Sequence, residues 1–150
     1  MLDFTKLLND TLQSTVTSPI EIFDLLPNKH SKYDGLLRHP QVEVLEKWFT
    51  KKFNDKNTII KMNTGSGKTV IGLLILKSYL NDGKGPAVYI VPDNYLIEQI
   101  VREANDLGIK VTKDPKDTDF ETGEAILVIN IHRILNGRST FGVNEVIKNI

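Results

Sequence analysis

The stretch of sequence that decides the fold is Ile59-Ile60-Lys61-Met62-Asn63-Thr64-Gly65-Ser66-Gly67-Lys68-Thr69-Val70-Ile71-Gly72. An apolar run enters a loop with the sequence Gly-Ser-Gly-Lys-Thr, and a helical pattern begins directly after it. This order of strand, glycine-rich loop and helix is the context in which a phosphate-binding loop works. Gly65 and Gly67 allow positive φ angles and a close approach of the backbone to a ligand. The stretch therefore predicts phosphate binding at the N-terminus of a helix.

Each part of the predicted loop has an expected role. The N–H groups of residues 65–69 can converge on a β-phosphate, supported by the positive end of the helix dipole. Lys68 is placed to reach the β- and γ-phosphates, and the Thr69 hydroxyl to bind Mg²⁺, so these two are the predicted catalytic residues. The complete predicted loop is Met62, Asn63, Thr64, Gly65, Ser66, Gly67, Lys68 and Thr69. The alternative is a glycine-rich turn with a solvated lysine, and Met62 departs from the general pattern, which has glycine there.

Short apolar runs alternate with helical patterns on either side of this loop. Strands are predicted over 58–62, 87–91 and 125–129, each too continuously apolar to be half exposed. Helices are predicted from residue 67 to about 80 and from 94 to about 107, the first ending near Gly83 and the second at Gly108. The alternation predicts an α/β fold, a parallel sheet with flanking helices. The polar stretch 111–123, with a short edge at 108–111 before it, is predicted to be a surface loop.

The chain divides near residue 57 into two parts. Residues 1–56 are interpreted as a mostly helical N-terminal extension, and residues 57–150 as a partial α/β lobe. Leu7, Leu8 and Leu12 are spaced for one helical face, and a polar stretch with two prolines, 15–27, interrupts the helical material. A further helix is predicted from Pro40 to about residue 52, because proline suits a first turn and an apolar stripe follows it.

Composition excludes several classes of protein. The 150 residues are 40% hydrophobic and 25% charged, as in ordinary globular proteins. The absence of cysteine excludes a disulfide scaffold, a thiolate zinc site and a cysteine nucleophile. Nineteen basic and nineteen acidic residues give a net charge of zero, so any binding to nucleic acid must be local. No signal peptide or membrane-spanning run is evident, which leads us to expect a cytoplasmic protein without a membrane partner.

Residues 62–69 resemble motif I of superfamily 2 helicases, in which a non-glycine residue opens an A-x-T-G-x-G-K-T pattern. Thr64 before the glycine is typical of that group. Upstream, Leu-Leu-Arg-His-Pro-Gln at 36–41 looks like the L-R-x-x-Q form of the Q motif. A glutamine amide matches the N6 and N7 edge of adenine. The resemblance therefore implies that Gln41 selects ATP and that Arg38 orients the base or stacks on it.

Two downstream segments resemble further helicase motifs. Residues 88–99, a strand ending in Pro92 followed by a helix, look like motif Ia, and residues 126–139 look like motif Ib. The resemblance implies nucleic-acid contacts by Pro92, Asn94, Gln99, Asn130, His132, Arg133 and Arg138. Asp93 has an alternative role as a helix cap, and the two arginines have the alternative of solvated side chains.

The resemblance is to helicases of the DEAD/DEAH and type III restriction-subunit kind. It implies a P-loop NTPase fold, the first RecA-like lobe of an ATP-dependent helicase or translocase that acts on DNA or RNA, with ATP and Mg²⁺ as cofactors. The acidic motif that such an ATPase needs does not follow Asn130, and the second RecA-like lobe is missing. We therefore expect a truncated chain that binds ATP and hydrolyses it only at background level. Two alternatives are a small P-loop kinase or NTPase and a non-catalytic module that binds a nucleotide or a partner.

Overall fold

The computed structural model describes residues 3–31 and 34–135. The helices of this part are α1 (Phe4–Thr15), α2 (Pro19–Leu25), α3 (His39–Lys51), α4 (Lys68–Asn81), α5 (Asn94–Leu107), α6 (Thr118–Glu121) and α7 (His132–Leu135), with a 3-10 turn at Lys29–Ser31. The strands are β1 (Val88–Val91), β2 (Val111–Thr112) and β3 (Ile126–Asn130). Arg138 and the end of the motif Ib segment lie outside the described residues.

The three strands form one parallel sheet in the order β1-β3-β2. Val88 lies opposite Leu127 in the first pair, and Val111 lies opposite Ile126 in the second. The central strand β3 is buried from Ile126 to Ile129, as expected for a parallel strand covered on both faces. The predicted parallel sheet with flanking helices, preceded by a mostly helical N-terminal part, is confirmed.

Most of the elements predicted from periodicity are found within one or two residues of the expected bounds. The helix α5 ends at Leu107, and Gly108 follows it with a φ of 81°, because glycine adopts the left-handed conformation of a helix C-terminus without steric cost. The helix α3 has Pro40 in its first turn, as predicted. The strands β1 and β3 each begin one residue later than predicted.

The strand predicted over 58–62 is wrong. Residues 57–63 have no regular secondary structure, and the Ile59 side chain is 96% exposed. A strand is stable only when a neighbouring strand satisfies its N–H and C=O groups. In the described part of the chain, β1 and β2 pair with β3, and no strand pairs with the segment before the loop. An apolar run without such a neighbour does not become a strand.

Two stretches predicted to be irregular contain regular structure. The interval 15–27 holds α2, which starts at Pro19 and buries Ile22 and Phe23. Proline fits the first turn of a helix, so the residue interpreted as a break is instead a start. The interval 111–123 holds β2 and α6, and Phe120 of α6 is buried against β3. Tertiary burial of a few apolar side chains overrode the polar composition in both stretches.

The N-terminal helices pack on the lobe rather than apart from it. Ile22 and Phe23 belong to the same hydrophobic cluster as Leu74 of α4. The Asn81 amide at the end of α4 donates to the carbonyl oxygens of Gln13 (2.6 Å) and Val16 (2.7 Å). These bonds attach α1 and the turn after it to α4. In the described residues no helix is both long and apolar enough to cross a membrane.

Candidate functional site

The predicted loop forms a tight turn directly before α4. The Ser66 N–H donates to the Asn63 carbonyl at 3.3 Å, and the Ser66 hydroxyl donates to the same oxygen. Gly65 and Gly67 have φ angles of 77° and 79°, so the predicted positive φ angles are confirmed. Lys68 is the first residue of α4 and its side chain is exposed. Because the first four N–H groups of a helix have no partner inside it, this turn presents donors toward the space before α4.

The segment before α3 holds the loop from the other side. The Arg38 guanidinium donates to the Gly65 carbonyl at 3.0 Å. The Gln41 side-chain N–H donates to the Gly67 carbonyl at 3.3 Å, while the Gln41 side-chain oxygen accepts the Arg38 backbone N–H at 2.9 Å. The two residues expected at an adenine are therefore brought together with the loop. With both glycine carbonyls occupied in this way, the loop keeps its orientation relative to α3.

Gln41 is a buried polar side chain with 1% exposure. A Cβ at Gly67 would lie 2.3 Å from the Gln41 amide nitrogen, so the amide occupies the space that any other residue at 67 would need. A glutamine amide has two donor hydrogens and an oxygen with two lone pairs. One hydrogen and one lone pair are used by the protein, which leaves one of each.

Tyr89 of β1 reaches the same end of α4. It is partly buried in the main hydrophobic cluster, and its hydroxyl lies near the side chain of Thr69. Burial, together with the negative charge of Glu103, raises the pKa of Tyr89, and the Thr69 side chain opposes that rise. The hydroxyl is therefore protonated at neutral pH. Sequence reasoning missed this residue, although a glycine inside a helix, Gly72, was a signal that something packs closely there.

The carboxyl ends of β1 and β3 carry a second group of polar side chains. Asn94 at the start of α5 accepts a hydrogen bond from the Asn130 amide at the end of β3. The Arg133 backbone N–H donates to the Asn130 side-chain oxygen at 3.0 Å, and the Arg133 guanidinium donates to the Lys113 carbonyl at 3.1 Å. Three of the residues implied to contact nucleic acid are thus brought together at one sheet edge.

The remaining residues singled out in the segments that resemble motifs Ia and Ib differ from these three in their contacts or exposure. The Asp93 carboxylate accepts the Leu96 N–H at 2.9 Å, which confirms its alternative role as the N-cap of α5. Pro92, Gln99 and His132 are exposed. Within the described ranges, no three His, Cys, Asp or Glu side chains are grouped closely enough to hold a metal ion.

The loop fits a nucleoside triphosphate with Mg²⁺. Nothing lies within 4 Å of the position that a Cβ at Gly65 would occupy, so that side of the turn is open. Lys68, which is exposed, the N–H groups of the helix start and Thr69 follow this turn directly in the chain, and they are the group types that phosphates and Mg²⁺ use. A small parallel sheet with flanking helices and this loop before α4 is the architecture of the first RecA-like lobe of a superfamily 2 helicase.

The chain belongs to the family described as type III restriction enzyme, res subunit, whose sequence model matches residues 34–145. The match begins just before Arg38 and includes the loop, the whole sheet and the sheet edge with Asn94 and Asn130. This bears out the resemblance to the DEAD/DEAH and type III restriction-subunit group of helicases.

Two characterised proteins are similar to parts of the chain. Endoribonuclease dcr-1 of Caenorhabditis elegans is 44% identical over 69 residues, which covers 41% of this chain and 3% of that protein. The ATP-dependent DNA helicase Hel308 of Pyrococcus abyssi (strain GE5 / Orsay) is 36% identical over 83 residues, covering 53% of this chain and 11% of the helicase. The chain therefore spans a small part of either relative. No solved structure matches it significantly.

Proposed function

We propose that this chain binds ATP and Mg²⁺ as the N-terminal lobe of an ATP-dependent helicase or translocase. The observation that carries the proposal is the loop 62–69, held by Arg38 and Gln41 directly before α4 and open at Gly65. Lys68 binds the β- and γ-phosphates, Thr69 is a ligand of Mg²⁺, and the N–H groups of the turn bind the phosphate oxygens. Mg²⁺ neutralises phosphate charge when it is bound. The similarity to an ATP-dependent helicase supports this assignment.

Gln41 has two roles in this proposal. It holds the Gly67 carbonyl, and its remaining donor and acceptor read the edge of adenine. Replacing Gln41 with alanine removes both. Inorganic tripolyphosphate has no base, so the change in its affinity measures the loss of loop support alone.

We expect Gln41→Ala to weaken tripolyphosphate binding about fivefold and ATP binding by a further factor of about five, one hydrogen bond for each role. The measurement is the dissociation constant of ATP, GTP and tripolyphosphate for the wild-type chain and the variant. The preference for ATP over GTP is expected to fall in parallel. If all three ligands weaken by the same factor, Gln41 supports the loop and does not read adenine.

The sheet edge with Asn94, Asn130 and Arg133 is the proposed contact with a nucleic-acid strand. Amide and guanidinium groups are suited to phosphate and sugar oxygens. The Arg133 guanidinium uses one N–H for the Lys113 carbonyl, and a guanidinium has five donors in all. The endoribonuclease and the DNA helicase among the relatives act on nucleic acids by their names, which supports the proposal.

Arg133→Ala is expected to weaken binding of single-stranded oligonucleotides severalfold and to reduce the salt slope by about 0.7, the value for one phosphate contact on a single strand. The measurement is the fluorescence anisotropy of labelled oligo-dT and oligo-U over a range of salt concentrations. Arg102→Ala, which removes an exposed arginine on α5, is the matched control. An identical effect of both variants would contradict a specific contact at Arg133.

A further inference from the structure

Tyr89 and Gly72 form a contact that the proposed function does not yet explain. A Cβ at Gly72 would lie 2.8 Å from Cε2 and 3.0 Å from the hydroxyl oxygen of Tyr89. Any other residue at 72 would therefore displace the tyrosine. Gly72 stands inside α4, where glycine costs about 1 kcal/mol relative to alanine. Because residue 72 is a glycine, the tyrosine ring lies directly against the backbone of α4.

This contact brings the tyrosine hydroxyl to Thr69. Thr69 lies three residues before Gly72, and residues three apart share one face of a helix. The Thr69 side chain is near enough to the Tyr89 hydroxyl to lower the pKa of the tyrosine. Glu103 of α5 contributes a negative charge that raises the pKa of Tyr89. Strand β1 thus supplies a polar group to the residue on α4 that the proposed function assigns to Mg²⁺.

A threonine in a helix has two accessible χ1 rotamers, one of which lets its hydroxyl bond back to a carbonyl of the preceding turn. An oxygen that binds Mg²⁺ must present a lone pair to the ion and direct its proton elsewhere. Mg²⁺ also demands near-ideal octahedral geometry, so a ligand in the wrong rotamer does not bind it. A fixed hydroxyl beside Thr69 satisfies both needs, because it holds the rotamer and takes up the hydroxyl's hydrogen bond.

We propose that Tyr89 is a positioning residue that orients the Thr69 hydroxyl for Mg²⁺, and that Gly72 provides the space for it. The inference rests on the proposed function, since it needs Mg²⁺·ATP at this loop. Tyr89 does not touch the nucleotide in this proposal. Its effect is therefore confined to the part of ATP affinity that depends on the metal.

The test compares ATP affinity with Mg²⁺ and with EDTA in the wild-type chain and in Tyr89→Phe, which keeps the ring and removes the hydroxyl. We expect the dissociation constant in Mg²⁺ to rise about fivefold, the value of one hydrogen bond, and the constant in EDTA to stay unchanged. Tyr79→Phe is the matched control, because the Tyr79 hydroxyl bonds the Phe53 carbonyl away from the loop. It is expected to change neither constant.

A double-mutant cycle with Thr69→Val shows whether Tyr89 acts through Thr69. In that background Tyr89→Phe is expected to have no further effect on the Mg²⁺-dependent affinity. An equal loss in Mg²⁺ and EDTA, or no loss in either, would overturn the assignment, since the hydroxyl would then be structural or irrelevant. If the wild-type chain binds ATP equally well in Mg²⁺ and in EDTA, the role of Tyr89 is overturned, whereas the proposal that the chain binds ATP still holds. A wild-type chain that does not bind ATP at all would refute the proposed function and this inference together.

Discussion

Lys68→Ala is expected to lower the affinity of the chain for Mg²⁺·ATP about 10- to 100-fold, the range for a hydrogen bond to a charged group. Lys68 is the first residue of α4, directly after the loop, and it is exposed. In the proposed complex it neutralises charge on the β- and γ-phosphates, and alanine puts nothing in its place. The measurement is the rise in melting temperature with increasing ATP, which follows the dissociation constant by mass action.

Lys61→Ala is the matched control for this variant. Lys61 is an exposed lysine just before the loop, so it reports the general effect of removing one positive charge. A similar loss in both variants would contradict the assignment of Lys68. The wild-type chain and Lys68→Ala also test the expectation that ATP is hydrolysed only at background level. Mg²⁺-dependent turnover in the wild type that Lys68→Ala abolishes would show that this expectation is wrong.

Gly67→Ala is expected to reduce both stability and ATP affinity. The residue has a φ of 79°, a conformation that costs about 1–2 kcal/mol for a residue with a Cβ. Its new Cβ would also meet the Gln41 amide at 2.3 Å. The displaced amide belongs to a buried side chain and loses a hydrogen bond, which adds about 1–3 kcal/mol. We expect an unfolding free energy lower by about 2–5 kcal/mol in total, measured by urea denaturation, with ATP binding weakened in parallel.

Gly65→Ala separates the conformational cost of a positive φ angle from the cost of the clash with Gln41. Gly65 has nearly the same φ, but nothing lies within 4 Å of its Cβ position. It is therefore expected to pay only the conformational cost. Adding Gln41→Ala to Gly67→Ala removes the obstructing amide, and we expect the double variant to be less destabilised than the sum of the single changes. Equal destabilisation by Gly65→Ala and Gly67→Ala would show that the contact with Gln41 is unimportant.

Local sequence patterns predicted much of the fold. The helices α3, α4 and α5 are present because their apolar periodicity, their first-turn proline or their C-terminal glycine act within a turn or two of the chain. Strand β3 is present because buried parallel strands have continuous apolar runs. Strand β1 has the same kind of run, but the expectation that it is not half exposed is wrong, since Ile90 is 46% exposed. The asparagines 94 and 130 follow these runs, and parallel strands bring their carboxyl ends to one edge.

The predictions of secondary structure that were wrong depended on packing against segments that are distant in the sequence. The apolar run at 58–62 has the composition of a strand, but no described strand pairs with it. Pro19 and the acidic residues around Phe120 have the composition of loops, yet α2 and α6 bury side chains against α4 and β3. Composition over a few residues does not contain the surface on which a segment packs.

The sequence by itself determined the phosphate loop, because two glycines, a lysine and a threonine act through their own backbone and the helix that follows. Only the tertiary structure decided what holds that loop. Gln41 lies 26 residues before the carbonyl that it bonds, and Tyr89 of β1 reaches Thr69 only because Gly72 leaves space on α4. Such contacts depend on how helices and strands pack against one another, which no spacing within a short motif specifies.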